Sequence, residues 1–414
     1  MAKEQWERQM ELGYGDVPDK NVCLDCITDY ALKEFVRENA DKNKCGYCLK
    51  ESDEPIAVPL VELVDYICEC IHTEWEDPAE SMAWEGREGG YQGASVYTGY
   101  ELVTEQIEEL FEMDNTELLT DIACSLGGRL WCQIDPNGLR REEALTFSWE
   151  DFSNQVKHKT RYIFFRIDDE KRREYDIDMI PVSKMLDRMS GELLMINEDI
   201  GVIKNLEANT NIFRARVHKK EDDLSTAKDF GTVPVEDAKY SNRMSPAGIP
   251  MFYGAFDPET AFQEIVDGSK DKGGKIASIA TFKLLRPMMV LDLSNLPEIP
   301  SIFDQNLNHL RSSLIFLHGF VRELSKPINK DGFEHIEYVP TQAFTEYIRH
   351  LFKTYNDAFI EGILYPSSRH AGGVSCVLFI ENDQCCDKAN EGDETAEKEP
   401  IKYLVLENIE SRPL

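Results

Sequence analysis

Four cysteines form the clearest chemical pattern in the chain. They stand as Cys23-Leu-Asp-Cys26 and Cys45-Gly-Tyr-Cys48, a C-x2-C pair repeated 18 residues further on. Two residues between thiolates let one tight turn aim both sulfurs at one ion, and a second such turn completes a tetrahedral shell. Gly46 suits the left-handed backbone that these turns often need. The spacing therefore predicts zinc held by Cys23, Cys26, Cys45 and Cys48. A shell closed by four protein ligands leaves no open position for chemistry, so the metal is expected to be structural. The chain has 11 cysteines, an odd number, and its first residues contain no apolar leader core. That argues for reduced thiols and metal ligands over a disulfide framework. Cys68 and Cys70 fall in an apolar helical run and read as core.

Other chemistry is missing. No G-x-G-x-x-G follows a strand, and neither G-x-S-x-G nor H-E-x-x-H occurs. The stretch Gly268–Lys275 imitates a phosphate loop but has Gly where the loop needs Lys. Arg311 and His318 have a spacing seen in some ribonucleases, but they lie in an apolar helical context where chance is the simpler source. The eight histidines do not cluster at metal spacing. The charge balance, 45 basic against 77 acidic residues and a net of −32, repels a phosphate backbone, so no nucleic-acid partner is expected. The densest basic clusters, KHKTR (157–161) and KRRE (171–174), read as a solvated helix face beside Asp168, Asp169 and Glu170. No apolar run reaches the roughly 18 residues of a membrane span. The expectation is a soluble, cytoplasmic protein with no membrane partner.

The elements that must position any site divide the chain. Its 414 residues suggest two or three domains, and 42% hydrophobic residues are ample for a core. We read 1–55 as a zinc-binding module and 56–207 as a helical domain. Helices are expected over 56–72, 100–112, 149–166 and 181–205, and another starts near Asp114 with Glu117 completing a capping box. Residues 75–93, rich in Gly and acid, read as a long loop. From 208 to 414 short β-like runs appear at 211–218, 251–256, 275–285, 288–293, 362–368, 374–380 and 401–410. Helices at 258–267 and 340–356 lie among them. Residues 381–400 read as an acidic, solvated loop insertion. The fold class is α+β, with a mixed C-terminal domain preceded by a mostly α-helical one.

That C-terminal part carries a scattered polar set on apolar segments. Phe213-Arg214-Ala215-Arg216 opens it. Asn242-Arg243-Met244-Ser245-Pro246-Ala247-Gly248 leads into Met251-Phe252-Tyr253-Gly254. Asp257-Pro258 caps a helix bearing Glu264, and Tyr365-Pro366-Ser367-Ser368-Arg369 precedes Ala371-Gly372-Gly373. This ordered set, over roughly 205–414, resembles the RES domain, named for its Arg, Glu and Ser. The N-terminal half looks like the helical HEPN-like module that precedes RES domains in longer members, without the usual HEPN nuclease motif. The resemblance implies a fold related to the ADP-ribosyltransferases. It implies an enzyme that breaks the nicotinamide–ribose bond of NAD+ by phosphorolysis, hydrolysis or ADP-ribosyl transfer. Such members act as toxins or defence effectors, many of them restrained by an antitoxin or inhibitor protein.

The residue chemistry fits that implication. Arginine forks match phosphate oxygens, which suits Arg214, Arg243 and Arg369. A carboxylate near the ribose offsets the charge of an oxocarbenium-like state, which suits Glu264. Tyr253 can stack on the nicotinamide or ribose, and the Ser367 hydroxyl can hold the carboxamide or an incoming phosphate. Arg214, Tyr253, Glu264 and Ser367 are thus the expected catalytic set. Arg214, Arg243, Tyr253, Ser367 and Arg369 are the expected binders of NAD+ as substrate. Arg216 competes with Arg214, since strand alternation puts both on one face, and Ser368 competes with Ser367. Tyr338 and His335 are candidates to line the pocket. The rival reading is a non-catalytic, zinc-containing regulatory protein that binds a nucleotide or a partner. Both readings admit a homo-oligomer.

Overall fold

The computed structural model describes the chain apart from residues 1, 88, 108–110, 112–114, 168–177, 223, 267–274, 327–331, 389–400 and 414. The expectations placed on Asp114, on KRRE, on Asp168, Asp169 and Glu170, on most of Gly268–Lys275 and on 389–400 lie outside the described residues. The chain divides into two compact units. One is Met1–Arg141 with Ile299–Ser312; the other is Glu142–Glu298 with Ser313–Leu414. No helix among the described residues is long and apolar enough to cross a membrane.

The first unit is built around the helix Leu60–Ile71, whose Leu60, Leu63, Val64, Ile67, Cys68 and Ile71 are all buried. Helices Tyr30–Asn39 and Thr116–Leu126 accompany it. Asp29 caps the former by accepting the Leu32 N–H at 2.8 Å. Asn115 caps the latter. Residues 75–93 are not one long loop. They form the strand Trp75–Glu76, a helical turn Pro78–Ser81 capped by Asp77, and a hairpin of Ala83–Glu85 with Gly90–Gln92. The hairpin strand Ala83–Glu85 is exposed throughout, and Trp84 meets Tyr91 edge-on at 4.9 Å. An exposed strand leaves no inward–outward alternation, so periodicity could not reveal it. The run from residue 100 starts as a helical turn, Gly99–Glu101, and continues as a π-helical turn, Leu102–Gln106.

The second unit has α1 (Arg141–His158) and α2 (Met185–Asp199) ahead of a mixed sheet. Its strands are β1 (Ile203–Leu206), β2 (Asn211–Lys219), β3 (Phe252–Ala255), β4 (Lys275–Leu284), β5 (Met288–Asp292), β6 (Gly362–Pro366), β7 (Val374–Leu378), β8 (Cys385–Asp387) and β9 (Leu404–Pro413). Helix α3 (Pro258–Ile265) follows β3, while α4 (Arg311–Ser325) and α5 (Val339–His350) lie between β5 and β6. The strand order is β8-β9-β4-β2-β3-β7-β6-β5-β1. Neighbours are antiparallel except β5 with β6 and β8 with β9. Two short strands were hidden in the sequence. β1 overlaps the end of the expected helix 181–205, and β8 lies within the expected acidic loop. β1 pairs with β5 and β8 with β9, so their placement depends on distant partners.

One feature of this sheet positions the site. β2 pairs with β4 along nine register positions but with β3 at a single one, Phe213 opposite Ala255. Beyond that point the two strands part, and the sheet opens. Gly254 permits the close approach at the junction. A Cβ there would lie 2.6 Å from Ile212 Cγ2 and 2.9 Å from Phe252 Cε1. Register carries one row across the sheet: Phe213 opposite Ala255, Ala255 opposite Ser375, Ser375 opposite Tyr365. Opposed residues share a face. Ala261, Phe262 and Ile265 of α3 pack on that face against Phe213, Ala215, Ala255 and Ile279.

Candidate active site

A cavity of about 470 Å3 opens where β2 and β3 part. Its walls include Arg214, Arg243, Tyr253, Glu264, Tyr338 and Arg369. Its size suits a drug-sized or nucleotide ligand. A larger cavity, about 730 Å3, shares Arg243 as a wall. There Lys157 meets Glu337 at 2.7 Å and Trp149 Nε1 donates to Glu323 at 3.1 Å, so these side chains answer one another.

Arg214 is the unbalanced group of the smaller cavity. Its Nη1 is buried and has no hydrogen-bond partner. The guanidinium sits 5.0 Å from the centre of the Phe252 ring. Burial, and then the neighbouring Arg216 guanidinium, push its pKa down to about 9. Alternation sends Arg214 to the sheet face opposite Phe213 and Ala215, yet it lines the same cavity as they do. The parting of β2 from β3 lets it. Arg216 instead donates to the Gly231 carbonyl at 3.2 Å.

Glu264 projects from α3, whose first turn is set as expected: Asp257 accepts the Thr260 N–H at 2.8 Å and Pro258 occupies the first position. The carboxylate is held through one oxygen. Oε1 accepts the Ser367 hydroxyl at 2.5 Å and the Ser375 hydroxyl at 3.3 Å. Ser367 Oγ in turn accepts the N–H groups of Arg369 (3.2 Å) and His370 (3.1 Å). Its single proton is therefore committed to Glu264. Of the two adjacent serines it is Ser368, not Ser367, that lines the cavity. Tyr253 Oη accepts the Met244 N–H at 3.2 Å and lies 3.0 Å from Ser245 Oγ. Burial pushes its phenol up to about 12.

The other expected binders stand differently. Arg243 spends its fork on the end of α4, donating to the Leu324 carbonyl and, at 2.6 Å, to the Lys326 carbonyl. It shapes the wall while its donors face backbone. Arg369 is exposed at the rim and donates to the Val266 carbonyl at 3.2 Å. Tyr338 lines the cavity and His335 is not among its walls. Sequence reasoning missed Tyr365 and Ser375, both on the shared row and both lining the cavity. The signal was present in Ser375, a lone hydroxyl inside an apolar strand.

In the first unit the four cysteines converge. Their Sγ atoms all lie within 4.8 Å of one another. Cys23 is 3.9 Å from Cys26 and 3.4 Å from Cys48, and Cys26 is 3.7 Å from Cys45. A tetrahedral zinc–thiolate shell with bonds of about 2.3 Å puts its sulfurs about 3.8 Å apart, so the set fits a metal. All four are free thiols. Burial alone would raise the Cys45 thiol, but N–H groups of Cys48, Tyr47 and Cys23 outweigh it and lower the thiol to about 7. Tyr47, inside the second pair, donates to Asp121 at 2.8 Å, and Lys20 reaches the same carboxylate at 2.6 Å. These contacts tie the cysteine loops to the helix Thr116–Leu126. Such an ion would cross-link chain segments and take no part in bond-breaking.

Residues 212–399 match the family model of the RES domain, and 38–170 match that of HEPN/RES N-terminal domain 1. No curated protein and no solved structure matches the chain. The chain belongs to the RES-domain family, in the form that carries a HEPN/RES domain ahead of it. RES domains are associated with NAD+-processing enzymes.

Two outcomes follow from this geometry. Replacing Arg214 by Met removes a buried, unpaired charge, so Arg214→Met should stabilise the ligand-free protein by about 1–3 kcal/mol in denaturant unfolding. A loss of stability would mean that the guanidinium has a structural partner. The purified chain should carry one zinc by elemental analysis, and Cys26→Ser should lose it and lower the melting temperature. Full zinc retention in that variant would contradict the four-cysteine shell.

Proposed function

We propose that this protein breaks the nicotinamide–ribose bond of NAD+, with Glu264 and Arg214 as the principal groups. One observation carries the reading. A guanidinium whose buried Nη1 has no hydrogen-bond partner and a carboxylate anchored through only one oxygen line the same cavity, and they form no ion pair with each other. Such an arrangement costs stability unless a ligand supplies the missing charges. NAD+ supplies both: a pyrophosphate for Arg214, and a ribose whose carbon becomes positive in the transition state for Glu264.

In the reaction the C1′–N bond breaks and nicotinamide leaves neutral with the electron pair. The sugar becomes oxocarbenium-like, and Glu264 Oε2, free of the serine contacts, faces that charge or the ribose hydroxyls. An acceptor oxygen, from phosphate, water or a macromolecule, then bonds to C1′ and its proton passes to solvent. Tyr253 and Tyr365 supply aromatic surface for the nicotinamide and ribose. Ser367 acts by orienting Glu264, Ser368 is the hydroxyl available to the ligand, and Arg369 closes the rim. Arg243 keeps the wall in place. Unchecked loss of NAD+ harms a cell, which supports a role as a toxin or defence effector restrained by an antitoxin or inhibitor protein.

Incubation of the full chain with NAD+, with and without phosphate, should release nicotinamide. A phosphorylated ADP-ribose marks phosphorolysis, and free ADP-ribose marks hydrolysis. Glu264→Gln should cut the rate at least about 100-fold while leaving the fold intact. Tight NAD+ binding with no turnover by the unmutated chain would instead support a regulatory nucleotide-binding protein.

A further inference from the structure

We propose that His370 is a positioning residue, clasped by Thr260 of α3 so that the turn Ser367–Gly373 holds the Glu264 carboxylate in place. The inference rests on reading the cavity as the NAD+-cleaving site. It starts from a proton inventory. The Asp257 carboxylate only accepts. It takes the Thr260 N–H on Oδ1 at 2.8 Å and the Thr260 hydroxyl on Oδ2 at 2.5 Å. Burial pushes the Asp257 carboxyl up, but these donors outweigh it and hold it below its ordinary value. With its proton committed to Asp257, the Thr260 oxygen can only accept from His370 Nδ1, which lies 2.6 Å away. The tautomer with hydrogen on Nδ1 is thereby selected.

The chain of donors continues. The His370 N–H donates to Ser367 Oγ, and Ser367 donates to Glu264 Oε1. The turn closes on itself, with the Ser367 N–H on the Gly373 carbonyl at 2.8 Å and the Gly373 N–H on the His370 carbonyl at 3.0 Å. Thr260 and Glu264 stand four residues apart on α3, on one face of the helix. The helix therefore grips the turn at two points, through Ser367 at its start and His370 at its middle. Gly373 makes this possible. A Cβ there would lie 2.2 Å from Thr260 Oγ1 and 2.9 Å from His370 Nδ1.

The test measures nicotinamide release by the full chain in H370A, H370N and T260V. H370A should lower kcat by about 10–100-fold with KM for NAD+ within about twofold, the signature of a displaced group rather than lost binding. H370N, whose side-chain N–H can take the Nδ1 position, should recover most of the rate. T260V should match H370A, and the double variant should be no worse than either. An unchanged kcat in H370A, or H370N as slow as H370A, overturns the proposal. Amide exchange gives a readout independent of turnover. H370A should speed exchange at positions 369 and 370 by about 10-fold or more, and unchanged exchange there overturns the clasp. Absence of NAD+ turnover in the unmutated chain, with the exchange effect present, overturns the NAD+ reading and leaves the clasp standing.

Discussion

The single pairing between β2 and β3 is the constraint on which the rest of the site depends. Two antiparallel strands that share one register position and then part must expose unpaired backbone or hold something between them. Here the opening is lined by side chains of both sheet faces. It brings Arg214 and Glu264 into one cavity although alternation and chain position separate them. The arginine is left without a partner, and the carboxylate is restrained by two serines from β7 and the turn after β6. Stability has been given up locally to keep complementary charges apart, the pattern expected where a ligand completes the structure.

The restraint on Glu264 shows how the surrounding shell is built. The hydroxyl protons in it are each committed to one acceptor. Ser367 gives its one proton to the carboxylate, and Thr260 gives its own to Asp257. Arg243, well suited to an anion by its fork, serves the end of α4 instead. Rigid support from committed hydrogen bonds leaves Glu264 Oε2 and the Arg214 guanidinium among the groups open to a ligand. The cysteine cluster follows the same logic in the first unit, where Cys23, Cys26 and Cys45 lie in the buried core, Cys48 is exposed, and the four together could hold one metal ion.

Much of this was legible in the sequence. The paired C-x2-C spacing located the metal-type cluster because both turns are local. The strands β2, β3, β4, β6 and β7 announced themselves through apolar runs, and Asp257-Pro258 announced α3. The α+β class and the family followed from the ordered motifs. What sequence could not supply was pairing. β1 and β8 are short and acquire their identity from partners 82 to 88 residues and 19 residues away in the chain. The choice of Arg214 over Arg216 as the cavity's arginine depends on where β2 leaves β3, which alternation cannot tell. The commitment of Arg243 to α4 carbonyls, and of Ser367 to Glu264, depends on contacts across about 80 to 100 residues of chain. Tyr365 became visible only once register placed it in one row with Phe213.

We propose that the opening between β2 and β3 binds NAD+ through Arg214 and presents its ribose to Glu264. A crystal structure of the full chain with a non-cleavable carbocyclic NAD+ analogue tests it most directly. A pyrophosphate oxygen should lie about 2.7–2.9 Å from an Arg214 nitrogen, with the nicotinamide ribose against Glu264. An analogue bound elsewhere, with Arg214 still unpaired, would contradict it.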